Sequence, residues 1–556
     1  MPLGVLQVQG HVPGTAFLDD SKQAHVDETL AAAGQQLKKG TGRHKDTVLV
    51  PQPSDDLNDP LNWPRWKKEL FFANLVAGGA LTGAIGHLIN AGFKVIASQW
   101  GVSVDAVSST NAWLNLATAV YTIVQGALAT KIGRRPIFVS ASLMQVVATI
   151  WSARSNGYNS FLGSRVISGL GMAPYQGLAG AAIGDVFFAH ERGLRVAIWS
   201  FAIGGAINIT PMINGTFLDK PDGWRTCFYI IFGIFCAHLC TVLVSFPESA
   251  YHRAAIYETD QGASATQLAA ARLAEKLERA DEPLEKADNG QFVERASRES
   301  LAIGETSVKK TWVQELAIWS YTGKDSLPQL LVRPFRSLLN PIVWYAIFAY
   351  GFIVTFLVVI SVVNATIFSL APYKFNARLV GFTSAGPLVG SILGTVVAGP
   401  LVDYLTKWFA RRNGGIYEPE SRLIANVFAL VFMAGGLGAW AGSTPYHPHW
   451  AVPVILYGVI NFGQCIAAAA VATYLLDATK HNSAESFAVI NFAKDIMLWA
   501  MSRHFNSWIL EHGVQTMFGI VSGICAFCIV LSVPMYIFGK KTRAWIAENP
   551  LLFKTN

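Results

Sequence analysis

Asn491, Lys494 and Asp495 lie in a mostly apolar run, 486–508, at the spacing i, i+3, i+4. That spacing puts all three on one face of a helix. A carboxylate in such a run can bind and release a proton as its surroundings change between dry and wet. A charge there is expensive and marks a functional site by default. The alternative is a helix that starts later, so that Lys494 and Asp495 wet a vestibule at its end. The two are adjacent in sequence and are not expected to point directly at each other. Arg165, in Arg165-Val-Ile-Ser-Gly169-Leu-Gly171, is a cation inside an earlier apolar run. It either faces a polar cavity or partner, or snorkels to the interface a few residues away. Further polar residues inside apolar runs are His87, Asn90, Asn115, Gln125, Gln145 and Asn208, then Asn364, Asn461, Gln464 and Tyr474. Asn461 and Gln464 are three apart and share a helix face. Such side chains either line a path or hydrogen-bond between helices.

The elements that must hold these residues are long apolar helices. Of the 556 residues 52% are hydrophobic, 12% aromatic and only 14% charged, against roughly 25% charged in soluble chains. The mean hydropathy is +0.35. These figures exclude a soluble multidomain enzyme and a disordered chain. The net charge of +7 does not indicate nucleic acid, because the basic residues sit at the ends of apolar runs and form no stripe with interleaved aromatics. A span needs about 20 mostly apolar residues. Twelve candidates occur, at 70–92, 107–129, 136–154, 160–183, 194–217 and 226–246, then at 342–368, 380–402, 422–442, 450–474, 486–508 and 514–538.

Most charge lies outside them, in 1–69, 249–340 and 541–556. The predicted organisation is therefore a tail over 1–69, a six-helix bundle over 70–248, a connector over 249–340, a second six-helix bundle over 341–540 and a tail over 541–556. The fold class is an all-α integral membrane protein with twelve transmembrane helices in two bundles. Lys131, Arg134, Arg135, Arg192, Arg195, Lys407, Arg411, Arg412, Arg422 and Lys480 fall in loops on the side of the termini. Arg154, Lys220, Arg225, Lys374 and Arg378 fall on the other. This excess predicts cytoplasmic termini and a cytoplasmic connector. Within the connector, 265–287 has the composition of a surface helix, and Ser297 and Ser300 lie in a charged, flexible stretch. The N-terminal stretch lacks an apolar signal core, so no cleavable secretory signal is expected.

All six cysteines sit in apolar runs, and Cys525-Ala-Phe-Cys528 is read as buried, inert thiol rather than a metal or redox site. No cofactor and no metal are expected. His447-Pro-His449 has no carboxylate nearby and makes a poor catalytic or metal cluster.

Two segments mark an internal repeat. Gly126-Ala-Leu128-Ala-Thr130-Lys131-Ile-Gly133-Arg134-Arg135-Pro136 closes the second span, and Gly399-Pro-Leu401-Val-Asp403, followed by Arg411 and Arg412, closes the eighth. Each is second in its block of six, which suggests parallel six-helix repeats, a known transporter plan. The first segment resembles the helix 2–3 loop signature of the major facilitator superfamily, with Thr130 where the family has Asp. The segment around Arg165 resembles the family's helix 4 motif. Gly204-Gly205-Ala-Ile-Asn208-Ile-Thr210-Pro211-Met-Ile-Asn214-Gly215 is similar to a weakened antiporter signature, with Thr210 and Asn214 replacing glycines. Asp59-Pro-Leu-Asn-Trp-Pro64, Gly223-Trp-Arg225, Pro247-Glu248, Asn413-Gly-Gly-Ile-Tyr-Glu-Pro-Glu-Ser-Arg-Leu423 and Gly539-Lys540-Lys541-Thr-Arg543 narrow the resemblance to fungal drug:proton antiporter-type facilitators, over roughly 55–545.

That resemblance implies a secondary active transporter that moves a drug, toxin or secondary metabolite by alternating access, as proton-coupled efflux. It implies gating roles for Gly126, Leu128, Lys131, Gly133, Arg134, Arg135, Gly399 and Asp403. Proton coupling would fall to Arg165, Lys494 and Asp495, and the cavity or a helix kink to Asn115, Asn208, Pro211, Asn461, Gln464, Tyr474 and Asn491. The expected partners are a small-molecule substrate, protons and the lipid bilayer, without nucleic acid, and the chain is expected to be a monomer in the plasma membrane or an internal one such as the vacuole's. Uptake or exchange of amines, polyamines or organic acids on the same fold is the alternative. A polytopic membrane enzyme is a distant one, and a channel lacks a charged ring or filter repeat.

Overall fold

The computed structural model describes residues 53–54, 56–218, 220, 222–251, 309–317, 326–413, 416–479 and 483–549, together with Leu6, Val12 and 15–17. The surface helix expected at 265–287, Ser297, Ser300 and Lys480 lie outside the described residues. The first helices are α1 Arg65–Trp100, α2 Val104–Ile132, α3 Arg134–Arg154, α4 over 158–186, α5 Ala189–Leu218 and α6 Gly223–Ser245. After the short helices Trp312–Glu315 and Leu327–Arg336 come α7 Pro341–Ser369, α8 Ala377–Arg412, α9 Pro419–Tyr446, α10 Ala451–Ala478, α11 Ser483–Ser502 and α12 over 514–548. Among the described residues, 10 helices are long and apolar enough to cross a membrane. The two that fall short are α4 and α11. Polar and small residues dilute them, and they carry Arg165 and the Lys494–Asp495 pair.

Local chemistry sets the ends. Ser103 accepts from the Ala106 amide to cap α2, and Asn340 accepts from the Ile342 amide, beside Pro341, to open α7. Gly133 takes φ 96 between α2 and α3, a backbone that suits only glycine. Gly513, at φ 79, interrupts the helix Phe505–Val530. Ser507 lies beside Asp105, near the start of α2, and Arg543 lies beside Glu420, in the first turn of α9. The chain therefore turns back at Gly513. Several helices outrun their predicted spans. Helix α1 passes through a 3-10 turn at Asn90–Gly92 to reach Trp100, and α12 runs on to Glu548.

Each half packs its own apolar core. Helix α2 lies on α4, α1 on α5, and α3 on α4 and α6, while α8 lies on α10 and α9 on α12. The α8–α10 contact is backbone to backbone: a Cβ on Gly390 would stand 2.0 Å from the Gly458 carbonyl. Small residues permit that approach. The halves meet along α2–α11 and α5–α8. Ala91 also packs into a second-half core, and Val362 into a first-half core. One end of the molecule gathers Arg134, Arg195, Arg412, Arg422 and Arg543; it is called the arginine end here, and its opposite the far end. At the arginine end Ala16–Phe17 pair antiparallel with Ile416–Tyr417, and Val12 is buried. The N-terminal stretch thus docks on the second half.

Candidate functional site

Helix α11 opens at Ser483, so Lys494 and Asp495 stand roughly three turns in rather than at a wet end. Asp495 is 4% exposed. Among the described residues it is the one buried carboxylate away from a helix end. Against the expectation from their adjacency, Lys494 Nζ lies 3.1 Å from Asp495 Oδ1. Neighbours on a helix diverge by about 100°, but the four-carbon lysine stem is flexible enough to curl back across that gap. A buried pair holds because separating it would leave two uncompensated charges. Opposite, α7 loosens into a π turn at Ile347–Phe352. A Cβ on its Gly351 would stand 3.9 Å from Lys494 Cβ. Thr355 Oγ1 donates to the Lys494 carbonyl at 3.2 Å. Asn491 donates within its own helix, to the Phe487 carbonyl at 3.0 Å.

Arg165 does not snorkel; it is 0% exposed. Its guanidinium donates to the Ile85 carbonyl at 3.1 Å and to Asn111 Oδ1, while Nε has no partner. No carboxylate pairs with it among the described residues. Asn111 Nδ2 donates to Asn90 Oδ1 at 3.0 Å, and Asn90 Nδ2 to Ser361 Oγ on α7 at 3.5 Å. Two more polar links cross between the halves. Asn208 Nδ2 on α5 donates to Ser391 Oγ on α8 at 3.4 Å, and that hydroxyl donates to Asn461 Oδ1 at 3.2 Å. Ser507 Oγ donates to Asp105 Oδ2 at 2.6 Å. In each link an amide or carboxylate of the first half meets a serine of the second. Such bonds contribute about 1 kcal/mol each. Beside α2–α11 the Trp113 and Trp499 rings stand edge to face with centroids 6.2 Å apart, and the Arg503 guanidinium lies 5.8 Å from each.

At the arginine end, the loop signature makes its contacts inside each half. Arg134 holds Asp185, at the end of α4, with both guanidinium nitrogens at 2.7 and 2.9 Å. Glu248 accepts the Arg134 and Arg135 amides at 2.9 and 3.1 Å, capping α3. Arg135 itself donates to the Phe246 and Leu243 carbonyls. The second half repeats the plan. Arg422, in the first turns of α9, pairs at 2.7 Å with Asp477, at the end of α10. Asp403 is a looser partner of Arg422, at 3.7 Å and 64% exposed on its side chain. Tyr417 donates to Asp477 and accepts from Arg422; burial, with Asp477 beside it, pushes its phenol well up. Arg543 forks onto Glu420 at 2.9 and 2.8 Å and reaches Glu418 at 3.0 Å, and Lys540 joins Glu418 at 2.6 Å. The marks before α9 and at the end of α12 are thus two sides of one buried cluster, which Thr15 touches through Glu418.

The remaining expected residues are dispersed. Thr130 donates back to the Gly126 carbonyl. Nothing lies within 4 Å of a Cβ placed on Gly126 or Gly399, so the tight-turn role falls to Gly133. Leu128 packs against a first-half core, and Lys131 closes α2. Pro211 stands inside α5 with its carbonyl 2.2 Å from where a Gly381 Cβ would sit. Asn208 and Asn461 meet through Ser391, whereas Gln464 is half-buried and touches Cys465. Asn115 is half-buried on α2. Tyr474 is buried toward the arginine end, its ring 6.0 Å from Tyr345 and its hydroxyl beside Gly539. Asn111, Ser361, Ser391, Asp185 and Asp477 went unnoticed in the sequence. For Asp185 and Asp477 a signal existed: each ends the helix that follows an arginine-opened one, in the same place of both repeats.

Comparison with known proteins matches residues 70–502 to the model of the Major Facilitator Superfamily. The chain is 26% identical to an uncharacterised MFS-type transporter of Schizosaccharomyces pombe, over 98% of this chain and 94% of that one. It is 24% identical to the major facilitator superfamily multidrug transporter FLU1 of Candida albicans, over 92% and 77%. In fold it is similar to the partially occluded, inward-open xylose transporter XylE of E. coli, with a TM-score of 0.53, 15% identity, and coverage of 84% of this chain and 97% of that one.

Proposed function

The chain belongs to the major facilitator superfamily, and from that premise we propose that it expels a small organic compound by alternating access, driven by protons. It is a membrane transporter and not an enzyme. The observation that carries the proposal is the Lys494–Asp495 pair within α11. While Asp495 is ionised the pair is neutral and tolerates a dry surrounding. Once Asp495 takes a proton, Lys494 keeps an uncompensated charge, and a conformation that wets it gains. Proton binding is thereby tied to which side of the path is open.

The relatedness to a protein named as a multidrug transporter supports an amphipathic organic substrate and efflux. Trp113 and Trp499, where the halves meet, offer aromatic faces to such a compound. The arginine end faces the cytoplasm by the excess of cations there, and the protein is a monomer in the plasma membrane or an internal one. Residues 70–248 and 341–540 are the two moving bodies, with 1–69, 249–340 and 541–556 as cytoplasmic tails and connector.

The test is an untargeted comparison of small molecules retained by cells with and without the protein, each with and without a protonophore. Compounds depleted by the protein should recover with the protonophore, and cells carrying Asp495→Asn should retain them as cells without the protein do. Undiminished, gradient-coupled depletion by Asp495→Asn would remove that carboxylate from the mechanism.

A further inference from the structure

The Arg165–Asn111–Asn90–Ser361 chain carries a direction. A guanidinium only donates, whereas an asparagine amide has one accepting and one donating end. Arg165 therefore fixes Asn111 with Oδ1 toward itself and Nδ2 away, toward Asn90 Oδ1. Asn90 must in turn direct its own Nδ2 outward, and it meets Ser361 Oγ there. Asn90 and Asn111 are both buried, so water does not readily substitute for a wrongly turned amide. The links measure 3.0 Å from Asn111 to Asn90 and 3.5 Å from Asn90 to Ser361; the longer is the one that crosses between halves. The crossing lies where the halves interlock, with Ala91 in a second-half core and Val362 in a first-half core.

We propose that Arg165 is a positioning residue for closure of the far end: through Asn111 and Asn90 it sets the donor that α1 presents to Ser361, and the link holds the two halves together there. The purpose of that closure rests on the alternating-access reading; the link itself does not. A buried guanidinium with no carboxylate partner among the described residues is then explained by the amides it orients.

The test uses the full chain, purified, with its six cysteines replaced and spin labels at Ser98→Cys and Leu370→Cys, exposed positions at the far end on either half. The distance distribution is read without substrate or gradient, so its outcome is independent of whether the protein transports. Ser361→Ala and Asn111→Leu should each reduce the short-distance population relative to the long by roughly 2- to 10-fold, the worth of one hydrogen bond. Combining them should add nothing beyond the larger single effect. Asn111→Asp should leave the distribution as it was: its carboxylate accepts from Arg165 and from a reversed Asn90, whose Oδ1 then accepts the Ser361 hydroxyl. An unchanged distribution in Ser361→Ala, effects that multiply in the double variant, or an opened Asn111→Asp would each overturn the proposal. Ser361→Ala removes one half-buried hydroxyl and keeps the test decisive even where Asn111→Leu fails to fold.

Discussion

Lys494 and Asp495 neutralise each other within one helix, whereas Arg165 is held by a carbonyl and an amide and Arg543 by two glutamates. The Arg543 cluster has the most to lose from a single change. Arg543→Leu would leave Glu420, 0% exposed, without a cation, at a cost of about 3–5 kcal/mol; the yield of folded protein and its thermal midpoint in detergent should collapse. Arg543→Lys keeps the charge without the fork and should lose less. Glu248→Ala removes the cap from the Arg134 and Arg135 amides and should lower stability by about 1 kcal/mol, read from the same melting curves. Arg165, Lys494 and Asp495 were legible in the sequence because an ionisable group in an apolar run has few bland explanations. Asn111 and Ser361 were not, because serine and asparagine are common on helices and their partners are set by tertiary packing. Lys494 and Asp495 were misjudged as a non-facing pair because helical spacing fixes Cβ directions and not the reach of a long stem.

Packing between helices gives glycines opposite tolerances. Gly390→Leu puts a side chain where a Cβ already meets the Gly458 carbonyl at 2.0 Å, so α8 and α10 should fail to close and the protein should not reach the membrane folded. Gly126→Ala meets nothing within 4 Å and favours the helix by about 1 kcal/mol; its melting curve should match or exceed the parent's. A transport defect in that well-folded variant would show that Gly126 is packed closely in another conformation. The N-terminal stretch lies against α12 and the start of α9, through Leu6 on the Ile537 carbonyl and Thr15 on Glu418. Deleting residues 1–17 should lower the melting midpoint, read from detergent melting curves, and leave transport rates nearly intact, because the described contacts of that stretch all fall on the second half. The spans were legible because apolar runs of about 20 residues have no other common use. The extensions of α8 and α12 beyond them were not, since polar helix outside a bilayer leaves no hydropathy signal.

The two halves share a plan that extends to their ion pairs: Arg134 with Asp185 in one, Arg422 with Asp477 in the other. The repeat was read from the glycine, leucine and arginine spacing; its carboxylate partners Asp185 and Asp477 went unread, because they lie a helix pair away and only their matching place in the two repeats marks them. Between halves the far end is closed by single hydrogen bonds through Ser361 and Ser507, and the arginine end leaves Leu194 on α5 and Tyr404 on α8 exposed at 68% and 66%. The most direct measurement places spin labels at Leu194→Cys and Tyr404→Cys in one sample and at Ser98→Cys and Leu370→Cys in another, and follows both distances as pH is lowered. Protons should lengthen one distance while they shorten the other, and Asp495→Asn should abolish the response at both ends. Ends that move together, or a pH response that survives Asp495→Asn, would contradict proton-coupled alternating access through this pair.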